Sequence, residues 1–115
     1  MRLCFALACL AGPVLADPPV IEAVTAYQST NSWLFDVTIR HPDTGWDHYA
    51  DGWRVQDMQG NELGMRVLHH PHETEKPFTR SLGGVVIGAD HTQAQIQSRC
   101  NVDGWSEEIF VVQLQ

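Results

Sequence analysis

The sequence predicts an all-β fold: an immunoglobulin-like or fibronectin-like β-sandwich of about seven antiparallel strands. No stretch after Ala16 keeps a helical period. Short runs rich in β-branched and aromatic residues recur at regular spacing, each bounded by Gly, Pro, Asn or Asp. Beyond residue 16 there is one cysteine, Cys100, so the inter-sheet disulfide of an antibody domain is ruled out.

The chain opens with a leader. Met1-Arg2 is a short positive region, residues 3–10 are apolar, Gly12-Pro13 breaks the run, and Val14-Leu15-Ala16 offers small side chains. This is the pattern of a secretory signal peptide over residues 1–16, cut after Ala16 and too short to span a bilayer. A lipoprotein cut at Cys9 is disfavoured because the Leu expected three residues earlier is absent. The domain proper is then residues 17–115.

Residues 20–27 form a first strand, and Ser29-Thr-Asn31 turns it. In residues 32–40 the alternation is strict: Trp33, Phe35, Val37 and Ile39 share one face, with Asp36, Thr38 and Arg40 on the other. That period of two predicts one buried and one wet face. A third strand over 51–58 and a fourth over 62–69 flank the hairpin signal Asp57-Met-Gln-Gly-Asn61. Leu63, Met65 and Val67 share one side of the fourth. Residues 82–87 form a fifth strand, softened by Gly83-Gly84, and residues 88–91 turn the chain. The sixth strand, 92–100, places Ala94, Ile96 and Ser98 inward and Gln93, Gln95, Gln97 and Arg99 outward. A polar loop over 101–106 leads to a last strand over 107–114.

The full chain carries −7 at neutral pH, and loss of Arg2 with the leader takes the domain to −8. That acidity argues against nucleic acid and against anionic membrane surfaces. It suits a cationic partner or a metal ion. No later stretch approaches the length of a membrane helix.

Two loops hold most of the distinctive chemistry. One is His41-Pro-Asp-Thr-Gly-Trp-Asp-His-Tyr-Ala-Asp-Gly-Trp53, and the other runs from His70 to Ser81. Successive antiparallel strands reverse direction, so the loops after strands two, four and six meet at one end of the sandwich. That end collects His41, Asp43, Trp46, Asp47, His48, Tyr49, His70, His72, Glu73, Glu75, Arg80, Asp103 and Trp105, with Asp51 of the third strand as a supporting residue, while the other is short and plain. Clustered loops on a rigid sandwich are where such folds keep binding function.

Three readings compete for this end. In the first, His41, His48, His70 and His72 ligate a divalent transition metal, Zn or Cu, with nearby Asp residues and Tyr49 orienting the rings. The spacing matches no high-specificity motif, and the plainer alternative is histidines capping turns. In the second, Trp46, Tyr49, Trp105 and Phe78, inside a polar rim that includes Arg80, grip a sugar, a small ligand or another exported protein without metal. Trp33 and Trp53 instead fall in strand phase and read as core. The third reading, catalysis, is disfavoured, since no nucleophile elbow or triad pattern is present. Arg80 is expected to pair with Asp47 or Asp51 across the loops. Cys100 reads as a buried thiol, with a soft metal ligand as the sharper alternative.

The runs 41–53, His70-Pro-His72 and Pro77-Phe-Thr-Arg-Ser-Leu82 resemble a family of small exported proteobacterial proteins. The resemblance implies a periplasmic location and no particular activity. Related sequences carry a histidine near the third loop where this chain has Asp103, which weakens the case for a ligand there.

Overall fold

The computed structural model describes residues 18–114, so the expected leader lies outside the described residues. Eight strands build two antiparallel sheets. β1 (Val20–Gln28), β2 (Trp33–Arg40) and β5 (Phe78–Val85) form one, in the order β1-β2-β5. β4 (Glu62–Val67), β3 (Ala50–Gln56) and β6 (Gln93–Cys100) form the other, with β7 (Gly104–Trp105) and β8 (Phe110–Gln113) both pairing β6. The chain crosses between sheets after β2, β4 and β5. The protein is an all-β, immunoglobulin-like sandwich. Among the described residues no helix is long and apolar enough to cross a membrane.

The strict alternation of β2 does what it predicts. Trp33, Phe35, Val37 and Ile39 are buried and meet Trp53, Val55, Ala94, Ile96 and Val112 from the opposite sheet. Burying one such side chain stabilises by about 1.5–3 kcal/mol. Hydrophobic packing carries the fold, because Cys100 is a free, buried thiol.

Two expectations need correction. The fifth strand starts at Phe78 rather than Leu82, so Arg80 lies on a strand and not in a loop. Thr79, Arg80 and Ser81 pair with Thr38, Val37 and Asp36 of β2, and that ladder outweighs the loop signal of Lys76-Pro77. The loop over 101–106 is mostly a turn followed by the short strand β7. In β4 the side shared by Leu63, Met65 and Val67 is not uniformly buried: Leu63 packs against the core, beside a register shift, and the other two do not. Met65 lies opposite Arg54 on the outer face, and Val67 is 47% exposed. Gly64 pairs with the buried Val55 instead, and its missing side chain leaves room for Leu82 and Val85.

Candidate metal centre at the loop end

The three loops expected to meet do meet. Asn101, just after β6, clamps the first loop: its N–H donates to the Tyr49 carbonyl at 3.1 Å, its Oδ1 accepts from the Tyr49 N–H at 2.8 Å, and its Nδ2 donates to the Trp46 carbonyl at 3.0 Å. From the second loop, the His72 N–H donates to Asp43 Oδ2 at 2.7 Å and Lys76 Nζ to the Asp43 carbonyl at 3.2 Å. Asn101 was not singled out by its residue type. Its place directly after Cys100, as a turn former, was the available signal.

At the centre stand His41, His48 and Cys100, whose ligand atoms all lie within 4.8 Å of one another. Among the described residues this is the group of metal-ligating side chains that comes together. Each arrives by a different local rule. His41 is the first residue after β2, buried because Ile39, two positions earlier, points to the core. His48 closes a tight turn in which its N–H bonds the Gly45 carbonyl at 3.1 Å, with Gly45 at φ 139°. Cys100 ends β6 in the inward phase set by Ala94, Ile96 and Ser98, opposite Ala50. The imidazoles meet edge to face, with centroids 4.8 Å apart.

The polar surroundings of the trio are uneven. His41 Nδ1–H donates to Asp43 Oδ1 at 2.5 Å. His48 Nε2 is buried with no hydrogen-bond partner, an uncommon state for an imidazole nitrogen. The Cys100 sulfur accepts from the Asp103 N–H at 3.3 Å, and Asp103 Oδ2 sits 3.5 Å from it. Burial pushes the Cys100 thiol above its ordinary pKa, while the backbone N–H groups of Asp103 and Val102 pull it back. A recess of about 370 Å³, lined by Pro18, Val20, Arg40, His41, Pro42 and Lys76, adjoins the His41 side.

The remaining expected residues lie as follows. His70 is exposed, and His72 is buried with neither ring nitrogen bonded. Their rings are 4.8 Å apart, and neither belongs to the group formed by His41, His48 and Cys100. His72 stacks on Phe78 with centroids 3.8 Å apart and planes 10° from parallel. Burial, helped by the Arg80 and His70 charges, lowers its pKa from the ordinary value. Trp46 is 65% exposed and meets Tyr49 edge to face at 5.5 Å, while Asp47 is exposed. Trp105 lies on the outer face of its sheet, with the Arg54 guanidinium 3.8 Å and the Arg99 guanidinium 5.2 Å from its ring centroid. Arg80 does not pair with Asp47 or Asp51. It donates to Glu75 at 3.0 Å, and Asp51 accepts from Arg99 at 2.8 Å. The cause is the early start of β5, which moves Arg80 onto the strand beside its own loop.

No family model matches the chain. Over 67 residues, 58% of this chain, it is 53% identical to a protein of Halomicrobium mukohataei named "Putative lipoprotein". The chain spans about a third of that relative's length (33%). A crystal structure of a hypothetical protein from Pyrococcus horikoshii OT3 superposes with a TM-score of 0.54 over 90% of this chain and 93% of that one. At 16% identity the likeness speaks for the fold alone.

Proposed function

We propose that the loop end binds a transition-metal ion through His41, His48 and Cys100. The observation that carries this is the convergence of two imidazoles and one thiol within 4.8 Å, together with the unpartnered buried nitrogen of His48. An ion bonded to nitrogen at about 2.0–2.1 Å and to sulfur at about 2.3 Å needs its ligands about 3.5 Å apart, so a small side-chain closure suffices. Two nitrogens and a thiolate suit zinc or copper and are foreign to oxygen-seeking magnesium or calcium. Three protein ligands leave a fourth position for water or another ligand. A bound cation would have to deprotonate the thiol against the burial that raises its pKa, which coordination of a thiolate does. The centre differs from the four-histidine set in that Cys100 enters while His70 and His72 stand outside the trio.

Export belongs to the same proposal. It rests on the leader over residues 1–16, on the resemblance to small exported proteobacterial proteins, and on the name of the Halomicrobium relative. A periplasmic location follows from the first two, and the lipoprotein name gives weight to the Cys9 alternative. A second reading, a small-ligand or protein-binding module without metal, draws on Trp46, whose exposure beside Tyr49 leaves an aromatic surface open at this end.

The test is metal content of untagged protein, followed by thermal melts with and without Zn²⁺ or Cu²⁺. An ion that binds only the folded state, at about 100 times its dissociation constant, adds about 2.7 kcal/mol. Stoichiometric metal and a shift lost in Cys100→Ala and His48→Ala are expected. Absence of both metal and shift would overturn the metal reading and leave the second.

A further inference from the structure

We infer that Asp43 is the positioning residue of this centre, fixing which nitrogen His41 turns to the metal and tying that choice to the β4–β5 loop. The inference rests on the metal reading above and adds to it a residue that does not itself ligate. The Asp43 side chain is fully buried, at 0% exposure. Its two oxygens serve different parts of the site. Oδ1 accepts from His41 Nδ1–H at 2.5 Å and from the Ala50 N–H at 3.0 Å, and Ala50 is the register partner of Cys100. Oδ2 accepts from the His72 N–H at 2.7 Å.

Three consequences follow from ordinary coordination chemistry. With Nδ1–H held by a carboxylate, the ring can ligate only through Nε2, and the carboxylate makes that nitrogen more basic. A cation on Nε2 acidifies Nδ1–H, so the bond to Asp43 tightens when metal binds. One carboxylate therefore registers His41 against the strand position opposite Cys100, and the same group anchors residue 72. Metal occupancy and the order of the β4–β5 loop are thereby linked, and such linkage is reciprocal.

The test uses Co²⁺, whose thiolate bond gives a near-ultraviolet charge-transfer band, with the whole chain after leader removal. In Asp43→Asn, Co²⁺ affinity is expected to fall about 10–100-fold, with the d–d bands shifted while the thiolate band persists. In the unaltered protein, amide hydrogen exchange at His72 is expected to slow severalfold on Co²⁺ binding, a readout that does not depend on the variant folding. Unchanged affinity and spectrum in Asp43→Asn would overturn the inference and leave the metal reading standing. Unchanged His72 exchange would also overturn it. No thiolate band in the unaltered protein would overturn the metal reading and the inference with it.

Discussion

His72 shows how one residue type can serve opposite ends at one site. Its ring is a packing element, flat against Phe78 and sealed from water, and its charged form is disfavoured there. A folded-state pKa below the unfolded value means that the unfolded chain takes up the proton first. The stability this ring contributes is therefore complete above about pH 6.5 and is lost as pH falls through that value towards the folded pKa. His72→Phe keeps a flat ring and removes the titration. Its melting temperature should fall less between pH 7.5 and 5.5 than that of the unaltered protein, and an equally steep profile would contradict the assignment. Arg80→Ala removes an exposed ion pair to Glu75, so it should cost no more than about 1 kcal/mol in urea unfolding. His41 and His48 were legible as neighbours because only six residues of one turn-rich loop separate them. Cys100 was legible as a buried thiol, yet its meeting with them depends on strand β6 ending at their level. That is a matter of register, which a single sequence does not state.

At the scale of elements, the strands whose alternation coincides with burial on one side were readable, and β2 and β6 follow their patterns residue by residue. β4 was not, because its period of two names two faces without saying which is inside. Its partner decides: Trp53 and Val55 point to the core, so Gly64 and Arg66 share their face and Met65 goes outward. The same register explains Gly52. A β-carbon there would lie 2.5 Å from Met65 Cε and 3.1 Å from the Arg66 carbonyl oxygen. Met65 can swing away but the backbone oxygen cannot. Gly52→Ala should destabilise by about 1–3 kcal/mol in urea unfolding, and a loss under about 0.5 kcal/mol would contradict the close approach. The hairpin between β3 and β4 was legible from its turn residues. Asp57 accepts from the N–H groups of Gln59 and Asn61 and from the Asn61 side chain, each at 2.9 Å. These bonds, that of the Asn61 side chain foremost, hold its carboxyl below the ordinary range.

On the scale of the whole molecule, alternation of strand direction does the organising. It gathers the loops after β2, β4 and β6 at one end, and the sequence therefore indicated where the chemistry would lie before it could say which side chains would touch. The described domain closes its core without a disulfide and with a marked excess of negative charge, so a bound cation would stabilise it and offset self-repulsion together. The proposed mixed nitrogen–sulfur centre is best tested by X-ray absorption at the zinc edge of the stoichiometrically loaded protein. One sulfur neighbour at about 2.3 Å with nitrogen neighbours at about 2.0–2.1 Å is expected, the sulfur vanishing in Cys100→Ala. A zinc shell of nitrogen and oxygen alone in the unaltered protein would contradict it.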